Sequence, residues 1–126
     1  MNRQTIGKKT WVIVGGHIPL HSTGHEPECT SFDQLCVLNT TDREAKLSIT
    51  IYYADREPVG PYPLKVQPRR TRHVRFNDLI DPQAIPLDTD YAAVVQSSVP
   101  VVVQFIRQDT GQAAKALLGT LAFSAG

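Results

Sequence analysis

Apolar and polar residues alternate with a period of two along several stretches of this 126-residue chain, the spacing of strands with one face in a core and one in water. The segment LSITIYYAD shows it most cleanly: Leu47, Ile49, Ile51 and Tyr53 fall on one face, Ser48, Thr50 and Tyr52 on the other. Runs rich in β-branched and aromatic residues recur between clusters of Pro, Gly, Asn and Asp, at the interval of an all-β sandwich or barrel. The pattern predicts strands over residues 9–15, 34–40, 45–54, 62–67, 69–76, 91–97, 100–108 and 115–124. Between them, DREPVGPYP (55–63) carries three prolines and a glycine and reads as a loop. The longer break NDLIDPQAIPLDTD (77–90) can cross from one sheet to another or hold a short helical turn. Nothing repeats internally, and one domain is expected over residues 1–126, with an ordered core over residues 7–124.

Other predicted strands do not alternate. In PVVVQFIRQ, Val101, Val103 and Phe105 share one face while Val102 and Ile106 sit on the other, and WVIVGG and the 115–124 stretch repeat this. An antiparallel sheet ordinarily leaves one face to water, so two apolar faces call for a second cover. With no helix of suitable length in the pattern, that cover is expected to be another subunit.

Composition narrows the class without choosing the chemistry. Hydrophobic residues make up 41% and charged residues 20%, with a formal net charge of +1, which favours neither disorder nor a polycationic nucleic-acid binder. The start NRQTIGKK has no apolar region behind it, and no apolar run reaches the roughly 18 to 20 residues of a membrane span, so a cytoplasmic protein is expected. Cys29 and Cys36 lack the CxxC spacing, and Cys36 is expected as a small buried hydrophobe in a strand.

The charge is local. RRTRHVRF (69–76) holds four arginines and a histidine, and strand parity puts Arg70 and Arg72 on the core side with Val74 and Phe76. Guanidinium groups on that side need partners, and Asp33, Asp55, Glu57, Asp88 and Asp90 are the acids at hand, unless a ligand carboxylate or phosphate takes their place. Structural ion pairs at a sheet edge are the simpler alternative. The candidate ligand site therefore comprises Arg70 and Arg72 as charged contacts, Asp33 and Asp90 to orient them, Trp11 or Phe32 as an aromatic wall, and Arg107. For nucleic acid, engagement of all four arginines would give a log–log salt slope of roughly −3 to −4, which suits weak, sequence-tolerant binding. No zinc finger, RNP-like pattern or helix-turn-helix accompanies them, so DNA is a third reading. HIPLHSTGH spaces His17, His21 and His25 by four, but Pro19 and Gly24 break any helix that would align them, and no metal is assigned. No GxSxG, HExxH, phosphate-loop or dinucleotide pattern is present, and no enzyme or cofactor is expected.

Together, CVLN (36–39), ITIYYADREPVGPYPLKV (49–66), RRTRHVRFNDL (69–79), IPLDTDYA (85–92) and VPVVVQ (99–104) resemble, in this order, the sensory rhodopsin transducer family, over about Gly7 to Ser124. The resemblance implies a single-domain, eight-stranded antiparallel jelly-roll-like β-sandwich assembled as a homotetramer. It also implies a signal transducer that binds a small molecule such as a sugar or related polar metabolite, or one that docks on a membrane photoreceptor. A link to DNA comes with it too. Two positions depart from the family pattern. Where the family reads Ser-His-Glu ahead of CVLN, this chain has Ser31, Phe32 and Asp33; where it has His before Thr-Arg, this chain has Phe105, Ile106 and Arg107. If these positions line one pocket, it has lost imidazole donors and gained apolar surface.

Overall fold

A computed structural model of the chain describes residues 5–18, 32–109, 116–121 and 123–124. The fold is all-β and its strands pair antiparallel in a curled sheet. Six strands carry most of it: β1 (Lys8–His17), β2 (Phe32–Asn39), β3 (Ala45–Tyr53), β4 (Val59–Val66), β5 (Arg70–Arg75) and β6 (Asp90–Asp109). Two shorter pairings, β7 (Ala116–Leu121) and β8 (Phe123–Ser124), complete it. The first half of β6 pairs with β3 on one side and β1 on the other, giving the order β4-β3-β6-β1-β8. Its second half pairs with β2 and β7, and β2 in turn carries β5 as an edge.

The alternation in the sequence decides which side chains enter the core. Along β6, Tyr91, Ala93, Val95, Val99, Val101, Val103 and Phe105 are buried, and along β3, Leu47, Ile49 and Ile51 are buried while Tyr52 is exposed. The inward side chains of both ladders meet in one core, each large aliphatic contributing roughly 1.5–3 kcal/mol by leaving water. Trp11 belongs to this core, its indole N–H shared between the Lys8 and Val101 carbonyls at 3.0 Å each. Asn39, fully buried at the end of β2, ties the ladders together. Its amide donates to the carbonyls of Arg43 (2.7 Å), Val66 (3.1 Å) and Gln67 (3.2 Å), and its carbonyl accepts from the Thr41 N–H (3.0 Å) and hydroxyl (2.7 Å).

Three boundaries differ from the sequence pattern. The strands expected over 91–97 and 100–108 are one strand, because serine hydroxyls bridge the gap: Ser98 Oγ accepts the Lys46 N–H (2.9 Å) and Ser97 Oγ the Val99 N–H (3.3 Å). Pro100, which has no N–H to donate, falls where β6 passes from one ladder to the other. The expected loop 55–63 is strand from Val59 onward, since β4 pairs only with β3 and its prolines occupy the outward positions between buried Tyr62, Leu64 and Val66. The terminal stretch expected as one strand over 115–124 divides between ladders, β7 joining β6 and β8 joining β1. The expected helical turn in the 77–90 break is a 3-10 turn at its start, Phe76–Asp78.

The outer faces are mixed, as the non-alternating strands imply. Val14 is 75% exposed on β1, and Val12, Ala92 and Val94 beside it are half-buried. No helix among the described residues is long and apolar enough to cross a membrane.

Candidate functional site

The arginine stretch becomes β5, an edge strand paired among the described residues only with β2. Register places Arg70 opposite Asn39 and Arg72 opposite Val37, on the inward side with Val74, as parity requires. Yet both are exposed, because no other described strand pairs along the free edge of β5 and long side chains reach water there. Arg70 donates to the Arg69 carbonyl (3.0 Å) and Arg72 to the Lys65 carbonyl (2.8 Å); neither forms an ion pair among the described residues. The two flanking arginines each have an acid nearby in space. Arg69 lies 3.8 Å from Asp42, and Arg75 pairs with Asp78 at 3.2 Å.

Of the acids expected to serve β5, Asp33, Asp55, Asp88 and Asp90 are engaged elsewhere, and Glu57 forms no ion pair with β5 among the described residues. Asp55 pairs with Arg56 (2.9 Å), which also lies 4.8 Å over the Tyr53 ring. Asp88 and Asp90 both hold His17, through Nε2 at 3.1 Å and Nδ1 at 2.7 Å. Their negative charge, Asp90 foremost, raises the His17 imidazole above its ordinary value against the opposing effect of burial.

Asp33 meets the one arginine that the sequence left without a role. The two are directly opposed in the β2–β6 register, and Asp33 Oδ1 accepts from Arg107 Nε at 3.1 Å. The carboxylate is 0% exposed and the Arg107 side chain 26%. Oδ2 accepts from the Tyr91 hydroxyl and the His17 backbone N–H, each at 2.8 Å, and a terminal Arg107 nitrogen donates to the Gly15 carbonyl. Burial first, and then the Asp33 charge, push the Tyr91 phenol far above its ordinary value, so it stays protonated and donates. Gly16 is required here by close approach: a Cβ would sit 2.4 Å from the Tyr91 ring. Phe76 packs at 5.3 Å from Tyr91 and 6.1 Å from Phe105, walling the network from β5.

The seven candidate residues therefore do not form one site. Arg72 lies four register positions from Asp33 along β2, roughly 13 Å of strand. Trp11 is core, not a wall facing the arginines, and Phe32 is half-buried on the outward side of β2. Phe105 points inward, so the two positions that depart from the family pattern lie on opposite faces of the sheet. Of the loop histidines only His17 falls within the described residues, and no metal-ligating cluster occurs among them. Cys36 is a buried free thiol whose burial raises it above its usual value, and Cys29 lies outside the described residues.

What the arginine edge does possess is a groove of about 540 Å³ between β5, the Pro63–Leu64 segment of β4 and the turn at Asp78–Leu79. Arg72, His73, Arg75 and Gln34 line it; Arg70 does not. Sequence reading found Arg72 but missed His73, Arg75 and Gln34, which parity assigns to the opposite face of β2 and β5 and which share the groove because it follows the strand's free edge. It also missed Tyr91, although an aspartate and an arginine at inward parity, Asp33 and Arg107, signalled that a buried polar network had to exist.

Among curated proteins none matches the chain. Solved structures do. The Anabaena sensory rhodopsin transducer is 50% identical, covering 82% of this chain and 99% of its own, with a TM-score of 0.70. The crystal structure of Thermotoga maritima 1070 is 31% identical, covering 94% and 96% respectively, with a TM-score of 0.82. Residues 6–124 match the family described as Anabaena sensory rhodopsin transducer, nearly the whole span of the curled sheet. With the fold, the family segments and the two relatives in agreement, the chain belongs to the Anabaena sensory rhodopsin transducer family.

Proposed function

We propose that this protein is a non-enzymatic, cytoplasmic signal transducer whose groove beside β5 binds a small polar molecule and whose oligomeric surface passes the signal on. The observation that carries the reading is the position of Arg72: it lines a groove of ligand-binding size, about 540 Å³, and forms no ion pair among the described residues. In this reading the curled sheet is the jelly-roll-like sandwich of the family, and copies of the chain form a tetramer over the apolar patch of Val12, Val14, Ala92 and Val94. Thermal-shift screening against sugars, nucleotides and organic acids, repeated on Arg72→Ala, tests it. A stabilising compound whose effect disappears in the variant supports the pocket; no stabilisation by any class removes it.

A second reading is favoured by the 50% identity to the Anabaena transducer. Here the oligomer docks on a membrane photoreceptor of sensory rhodopsin type, and the arginine edge serves contact between proteins. Co-purification of the full chain with such a receptor in native membranes, and its loss in a Val14→Asp or Arg72→Ala variant, checks that version. Weak DNA binding is a third reading, removed if filter retention is undetectable at low ionic strength.

A further inference from the structure

Resting on the ligand reading and deepening it, we propose that the β5 groove recognises a phosphate monoester. The lining is donor-rich and acceptor-poor. Arg72 places one guanidinium nitrogen on the Lys65 carbonyl, which leaves most of its five N–H groups for a guest. Arg75 is held at the groove by Asp78, with 3.3 Å and 3.2 Å contacts from Nε and a terminal nitrogen. His73 and the Gln34 amide add further donors, and Asp78 is the only carboxylate among the described residues that line the groove. Two guanidinium groups against one carboxylate leave an excess of positive charge that an anionic guest neutralises.

Geometry favours a tetrahedral anion over a planar one. Arg72 and His73 project from opposite faces of β5, so the donors reach the groove from both sides of the strand's edge. A carboxylate is satisfied by a single guanidinium fork, whereas a phosphate monoester offers three acceptor oxygens in different directions. Among the described residues the edge of β5 away from β2 has no strand partner. Apolar side chains, Pro63, Leu64, Val74 and Leu79, form the remaining wall, and a second hollow of about 260 Å³ adjoins it past Leu79, lined by Tyr62, Ile80 and a further carboxylate, Asp81, so that it suits the uncharged body of an ester and not a second anionic group.

Calorimetric titration of the full chain with glycerol 3-phosphate, glycerol, and vesicles of phosphatidylcholine with or without phosphatidic acid tests the assignment. Arg70 provides the control, since it carries the same charge on the same strand but lies outside the groove. Glycerol 3-phosphate is expected to bind and glycerol not, with Arg72→Gln weakening binding tenfold or more and Arg70→Gln less than twofold. Binding confined to phosphatidic acid vesicles, with the same split between variants, assigns the monoester to a lipid headgroup instead of a soluble metabolite. Equal losses in the two variants mean diffuse charge and overturn the site. Absence of binding by every phosphate probe also overturns it. If a neutral sugar still stabilises the chain through Arg72, the phosphate assignment falls while the ligand reading stands. Unchanged melting temperatures of both variants show that neither result reflects unfolding.

Discussion

Two arginine sites in this protein show how position on a sheet sets what a guanidinium does. Arg107 sits on the central strand, opposite a carboxylate with no exposed surface, and that carboxylate collects three donors from two strands, Arg107 and Tyr91 of β6 and His17 of β1. Arg72 sits on an edge strand with the same inward parity, yet it faces water and has one carbonyl as partner. Inward parity on a covered strand means burial, and a buried charge must be paired and hydrogen-bonded. At an edge the same parity leads past the core into solvent, and an unpaired charge is tolerated there. The first site is therefore structural and the second is free to meet a partner.

The largest effect expected from breaking this contrast comes from Asp33→Ala. It leaves the Arg107 guanidinium, the Tyr91 hydroxyl and the His17 N–H without their acceptor, and denaturant unfolding should show a loss of about 3–5 kcal/mol. Next comes Gly16→Ala, which drives a methyl group into the Tyr91 ring and is expected to destabilise by about 1–3 kcal/mol in the same measurement. Tyr91→Phe removes a single donor from the buried carboxylate and should fall in a similar range, about 1–3 kcal/mol.

His17 gives a pH-dependent effect of smaller size, because its ring is partly exposed. Its folded-state value is raised by Asp90 and Asp88, so the stabilisation is complete below the ordinary imidazole value of 6.5 and is lost as pH rises through the higher folded value. Stability measured from pH 6.5 upward should fall in the wild type relative to His17→Gln, and parallel curves would remove the ion-pair assignment. The smallest effect belongs to the edge. Arg72→Gln and Arg70→Gln should each change stability by less than about 0.5 kcal/mol, whatever Arg72→Gln does to ligand binding.

Much of the fold was legible along the chain. The alternation in β3 named Leu47, Ile49 and Ile51 as core and Tyr52 as surface, and the structure agrees. The non-alternating β1 announced an outer apolar face, which Val12 and the exposed Val14 form. Strand boundaries were less legible where side chains replaced backbone partners, as at Ser97 and Ser98, or where prolines sat on an edge, as in β4. Of the candidate site, the arginines of β5 were visible as a charge cluster. Their acids were not, because strand pairing chose most of them: the β2–β5 ladder brings Asp42 toward Arg69, the β2–β6 register gives Arg107 to Asp33, and only Asp78 reaches Arg75 from three residues away.

The sequence by itself determined the class of fold, the alternation that sorts core from surface in strands such as β3, and the family. Those follow from local spacing and residue type, which the chain carries wherever it goes. Only the tertiary structure decided which charges meet, since that depends on which strands lie side by side and in what register. It placed Arg107 on Asp33 in the interior and left Arg72 at the rim, because one strand has neighbours on both edges and the other has one edge open to water.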